Sequence, residues 1–335
     1  IKAYANEEVT LDGSYTIDSP WSLHEGNIYK TTLARQVSQV WVNDQHMTLA
    51  RHPNVECWSD DSWARNKMTL SSNRTSKSQA KITDSELQDI STTLKDCIAV
   101  ITMETNFPRI ITSHNPGDDF FNYEKYSKES QVQYDAKYFI EGGVGAAELA
   151  LLDTPGEWAF DETTKTLYLW AHDGESPDTK NIKCKNVNYS YALKGAPEYL
   201  TIEGINFFGA TFKFHGSKFV TVQHCDFLYP TFNERALAVK NVPATSIDNS
   251  VHFTLYNCDF RYTDGMGFVA EGAKFPSIIN NSFYMIDYSC LYSNNSISLI
   301  GTQGVVFNRN TLHTTGSGNG VKIKPGNALI YHTQI

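Results

Sequence analysis

Asp264, Asp287 and Glu271 are the residues of this 335-residue chain whose types and spacing could cleave a glycosidic bond. Asp264 and Asp287 each stand four places beyond a phenylalanine, Phe260 and Phe283, that closes one of two similar segments. If those segments stack in register, the carboxylates lie one strand spacing apart, about 5 Å. That separation suits a retaining pair, nucleophile plus acid/base, and repulsion between like charges would push the two pKa values apart. Glu271 closes the segment Gly265-Met-Gly-Phe-Val-Ala-Glu271 and could replace Asp287 as the second carboxylate. The bland alternatives are a turn at Thr263-Asp-Gly265, a turn or cap at Ile286-Asp-Tyr288, and a solvated Glu271.

Leu228, Arg261, Tyr284 and His313 each follow directly on the last apolar residue of such a segment. In a stacked arrangement they form a row, with Arg261 as clamp and His313 as proton shuttle or hydrogen-bond donor. Glu234 and Arg235, beyond Tyr229-Pro230, could reach the same strip or form a surface ion pair of little energy. Tyr229, Phe232, Tyr262, Tyr284, Tyr288 and Tyr292 are flat surfaces of the kind that stack on pyranose rings, although tyrosine is also common in strands. Lys322 and Lys324 share one side of a strand in Gly320-Val-Lys-Ile-Lys-Pro325. They could neutralise a uronate carboxylate or remove its α-proton, as a lyase requires, or keep an outer face soluble.

The elements that must position these side chains repeat. Leu200–Phe207, Val220–Phe227, Phe253–Phe260, Pro276–Phe283 and Val305–Leu312 superpose without gaps, at a period of roughly 20 to 33 residues. A strand-and-turn unit this short cannot bury its own apolar face and must stack on its neighbours. Alternation predicts inward side chains at Val220, Val222 and Phe227, at Phe253, Leu255 and Phe260, at Ile278 and Phe283, and at Val305, Phe307 and Leu312. Cys225 with Cys258, and Asn281 with Asn310, share one register, and stacked Asn side chains could satisfy turn amides from coil to coil. The pattern predicts an all-β, right-handed parallel β-helix. Residues 1–30 form its first coil or coils, 31–175 a β-rich insertion with one short helix, and 176–335 the main stack, which could continue beyond the chain end.

Within the insertion, Val40–Leu49 and Gly156–Trp170 read as hairpins, the first turning at Asn43-Asp44. Thr83–Asp96 reads as an amphipathic helix with a capping-box-like start. Unfinished sheet edges at Ile1 and Ile335 call for a cap or a neighbour, so end-to-end self-association is expected.

Composition narrows the partners. The net charge of −9 offers no basic footprint for nucleic acid. There is no run of 18 or more apolar residues that would span a bilayer. Six cysteines without a C-x-x-C pair argue against zinc and leave disulfides and buried thiols both open. Sequons at Asn73, Asn188, Asn280 and Asn294 fit a secreted glycoprotein. Hydrolysis needs no cofactor; Asn115-Pro-Gly-Asp-Asp119 could supply oxygen ligands to a structural calcium, or simply be an exposed turn.

Val40–Asn54 with its Leu49-Ala-Arg-His-Pro-Asn54 ending, Leu151–Trp158 with Thr166–Trp170, and the repeats from Leu200 onward together resemble right-handed β-helix proteins of the bacterial carbohydrate-active group. The resemblance covers most of the chain. It implies a glycoside hydrolase or a polysaccharide lyase acting on a polysaccharide or oligosaccharide, and it is specific for architecture more than for chemistry. Hydrolysis by Asp264, Asp287 and Glu271 is the leading reading. A uronate lyase using Lys322, Arg235, Arg261 or His313 comes second. A non-catalytic sugar-binding or structural glycoprotein is the third.

Overall fold

The computed structural model describes residues 1–5, 7–54, 68–69, 80–102, 106–124, 137–142, 149–192, 195–233, 244–289, 295–316, 321–324 and 328–331. Cys57, Asn73, Glu234, Arg235, Cys290, Tyr292 and Asn294 lie outside them. The protein is all-β with several parallel sheets, in two compact units. One contains Ile1–Tyr15 and most of the chain from Lys185 onward, the other Thr16–Cys184.

The first unit is built from three six-stranded parallel sheets visited in rotation. One circuit of chain supplies Thr221–Gln223 to the first sheet, Asp226–Leu228 to the second and Ser246–Asp248 to the third. The next supplies Thr254–Tyr256, Asp259–Thr263 and Phe268–Glu271, and the one after it Ser277–Ile279, Ser282–Ile286 and Ile297–Ile300. Strands this short need a sharp bend between them. A left-handed residue provides it at matching places in successive circuits: Gly204, His224, Asn257, Asn280 and Arg309 all have φ between 50 and 64°.

The apolar positions expected to point inward do so. Phe207, Phe227, Phe260 and Phe283 form a continuous buried stack, with ring centroids 4.5, 4.4 and 4.9 Å apart. Beside it runs the row Cys225, Cys258, Asn281, Asn310. Asn310 Oδ1 accepts the Asn281 amide at 3.0 Å, and Asn281 Oδ1 accepts that of Cys258 at 3.0 Å. These side chains satisfy turn donors that no sheet ladder reaches. The four described cysteines, Cys97, Cys184, Cys225 and Cys258, are buried.

The second unit holds a seven-stranded antiparallel sheet, in which Ile98–Thr102 pairs with Asn106–Ser113 and Lys137–Glu141. It also holds a five-stranded sheet that includes Ser22–Glu25, Ile28–Thr32, Thr166–Trp170 and Glu157–Asp161. Both expected hairpins are present, and Asn43 and Asp44 turn the first with φ of 50 and 64°. The helix expected over Thr83–Asp96 is instead a single 3-10 turn, Ser85–Asp89, capped by Asp84, whose side chain accepts the Glu86 amide at 3.0 Å. Leu87 and Leu94 are both buried, but the chain has left helical geometry by Ile90 to present them. Packing of the two leucines has overridden the local helix signal. Asn115-Pro-Gly-Asp-Asp119 is a turn closed internally, with the Asn115 amide and side chain both donating to Asp118 Oδ2. Among the described residues no helix is long and apolar enough to cross a membrane.

Candidate active site

Asp264 and Asp287 follow directly on neighbouring strands of the second sheet. Phe260 pairs with Phe283, Arg261 with Tyr284 and Thr263 with Ile286; one circuit further, Ile286 pairs with Thr315. Extending that register by one residue sets Asp264, Asp287 and Gly316 in a row, and Thr231 stands three residues beyond Leu228, the last paired residue of the preceding strand. The strands end here because the ladder is interrupted by side-chain bonds. Thr263 Oγ1 accepts the Asp287 amide at 3.1 Å and donates to Gly265 O at 2.8 Å, and the Gly265 amide donates to Thr231 Oγ1 at 3.1 Å.

Both carboxylates are buried, at 0% and 1% exposure, in a polar nest that replaces the apolar core at this corner. The Asn233 amide donates to Asp264 Oδ2 at 2.9 Å; Asn233 Nδ2 and Ser289 Oγ both donate to Asp264 O. Lys185 is buried with them and donates to Gly209 O. Loss of hydration pushes its pKa down to about 7, and the field of Asp264 partly opposes that shift. Asp287 adopts a left-handed backbone, φ 59°, and Gly316 packs against it. A Cβ on Gly316 would fall 2.2 Å from Asp287 O and 2.7 Å from its Oδ2. Glycine is therefore required at 316 for Asp287 to sit where it does.

The surface beside this nest carries several of the expected binding residues. Arg261, Tyr284 and His313 occupy one outward row of the second sheet, with Tyr284 and His313 stacked at 5.3 Å. Tyr262 contacts Tyr284 edge-on at 5.5 Å and stacks on Tyr229 at 5.6 Å. Tyr288 is half-buried, its amide donating to Thr263 O at 3.0 Å.

Glu271 does not join Asp264. It is exposed at the end of a third-sheet strand, paired in register with Asp248 and Ile300, because the chain turns a corner between Asp264 and Phe268. Lys322 is on that same sheet, opposite Ser298.

Two further carboxylate pairs emerge from the same stacking. Asp226 pairs with Asp259 on the outer face of the second sheet, where Arg261 reaches Asp226 at 3.4 Å. Partial burial raises the Asp259 carboxyl above the usual range, and Asp226 beside it adds to the effect. Asp248 is raised by the same two causes, burial and then the neighbouring Glu271, against the pull of Lys213 3.9 Å away. Asp226 and Asp259 were visible in the aligned Cys-Asp-Phe segments. Lys185, Asn233 and Gly316 left no periodic signal.

One solved structure, a glycoside hydrolase, matches 99% of this chain and 83% of its own at a TM-score of 0.69, with 12% identity. The fold alone is shared. A structure of XylC with xylose matches 99% of this chain and 55% of its own at a TM-score of 0.47, with 11% identity. No protein-family model and no curated protein matches the sequence.

Proposed function

We propose that the protein is a secreted glycoside hydrolase, that its three parallel sheets close into a right-handed β-helix, and that Asp264 and Asp287 are its reacting pair. Handedness follows the rule that parallel crossover connections are almost always right-handed. Secretion is supported by the sequons, of which the described Asn188 is exposed. The observation that carries the reading is that Asp264 and Asp287 follow directly on neighbouring in-register strands, whose backbones run about 5 Å apart, among buried polar groups that an apolar core would not retain without a use. Similarity of fold to a glycoside hydrolase supports the same class.

The roles divide by surroundings. Asp264 accepts the Asn233 amide and has Lys185 buried beside it, and is assigned as the nucleophile. Asp287 is the acid/base. Asp264 attacks the anomeric carbon as the glycosidic C–O bond breaks, and the leaving oxygen takes the Asp287 proton. Water, deprotonated by Asp287, then hydrolyses the glycosyl ester, which regenerates both groups. Because both carboxylates are buried, a sugar reaches them only after the covering side chains separate. Tyr262, Tyr284, Tyr288, Arg261 and His313 supply the adjoining sugar-binding surface.

Digestion of a panel of neutral and anionic polysaccharides by the wild type, Asp264→Asn and Asp287→Asn tests this. Loss of cleavage in both variants with folding retained is the expected result; cleavage at the wild-type rate by either removes the assignment. Lys185 favours a second reading, since a buried lysine neutral near pH 7 could take an α-proton from a uronate. Products absorbing as unsaturated uronates would select that lyase.

A further inference from the structure

An open polar trough lies in the compact unit Thr16–Cys184. On the five-stranded sheet, Ser22, Lys30 and Tyr168 stand opposite one another across three adjacent strands. Thr32 and Thr166 pair two residues further along, and therefore on the same face. With Thr164 at the rim they line an open trough of about 400 Å³, within the range of small-molecule sites. Hydroxyls predominate along it. Tyr168 forms one wall and is backed by the hydrophobic core of that unit, and His24 holds its ring edge-on at 5.0 Å.

Lys30 is the one charged residue among those that line the trough. The neighbouring Asp161 is engaged by its own turn: Thr164 Oγ1 donates to it at 2.7 Å and the Thr163 amide at 2.8 Å. The hydrogen bond from Thr164 is also the main reason the Asp161 carboxyl is held below its usual range. The lining itself therefore holds one ammonium group, a set of hydroxyls and an aromatic wall, with the ionised Asp161 outside it, in register with Thr166.

We propose that this trough is a binding site for an acidic saccharide unit, separate from the reaction centre. Lys30 pairs with the sugar carboxylate, the Tyr168 ring faces the apolar side of the pyranose, and Ser22, Thr32 and Thr166 exchange hydrogen bonds with its hydroxyls. The inference does not depend on the chemistry assigned to Asp264 and Asp287.

Calorimetric titration of the full chain with a glucuronate-containing oligosaccharide, and with the same oligosaccharide reduced to its neutral form, tests the site. The acidic probe should bind saturably and the neutral one about tenfold more weakly, with the difference shrinking as salt is raised. Lys30→Gln and Thr166→Val, both at solvent-facing strand positions, should each weaken the acidic probe by about tenfold or more. Asp264→Asn should bind it unchanged. Equal binding of the two probes, or no effect of Lys30→Gln, overturns the proposal, and loss of binding in Asp264→Asn moves the sugar to the reaction centre.

Discussion

Asp264/Asp287 and Asp226/Asp259 owe their pairing to the same stacking of the same two-strand repeat, yet their surroundings are opposite. The first pair is buried beside a lysine and an asparagine amide, at the corner where the second sheet ends. The second is on the open outer face of that sheet, steadied by an ion pair in which both side chains are more than 40% exposed. In-register parallel strands produce carboxylate neighbours wherever acidic residues recur at one position, so spacing alone does not identify a reaction centre. Low dielectric, fixed donors and a buried cation are what make a pair of acids chemically distinctive.

Four substitutions sharpen or break this contrast. Asp264→Asn should reduce hydrolysis by about 10³-fold or more, whereas Asp226→Asn should change it less than about threefold, since a screened surface pair contributes little. Initial rates on a cleaved polysaccharide decide between them, and equal losses would erase the distinction. Next comes Gly316→Ala. Its Cβ must displace Asp287, and a shift near 1 Å should lower the rate by about 10²-fold, while Gly301→Ala, on a different turn, should leave the rate close to wild type.

Lys185 provides a stability test. Its folded pKa of about 7 lies below the ordinary lysine value, so from pH 7 to pH 10 the unfolded chain holds more protons and stability rises with pH. The rise from this one group is up to about 4 kcal/mol. Denaturant melts of Lys185→Met should show that slope flattened and stability at pH 7 increased; an unchanged slope would mean the lysine stays charged when folded. The smallest effect is expected at the exposed ion pair. Arg261→Ala should cost less than about 1 kcal/mol but raise KM if the aromatic and basic row carries substrate.

The stacking itself was legible because burial imposes a period. Phe227, Phe260, Phe283 and Leu312 must all reach one core, so their spacing records the circuits, and Asn281 and Asn310 mark the turn whose amides they satisfy. Counting four places beyond each phenylalanine was enough to put Asp264 beside Asp287, since Thr263 still pairs with Ile286 beyond the left-handed Tyr262 and Met285. Glu271 escaped the same arithmetic because its strand belongs to another sheet, across a corner whose length no repeat fixes. At Thr83–Asp96 a local capping signal pointed to a helix, and long-range packing of Leu87 and Leu94 decided otherwise.

From its residues alone, then, this chain determines the in-register rows, the apolar interior and the acids that become neighbours, since each follows from alternation and from the need of short strands to stack. Only the tertiary structure decides which of those acids are dry, which donors reach them and that Lys185 and Gly316 stand against them. Burial and electrostatic surroundings are set by segments tens of residues away, and no local pattern encodes what will close over a side chain once the chain has folded.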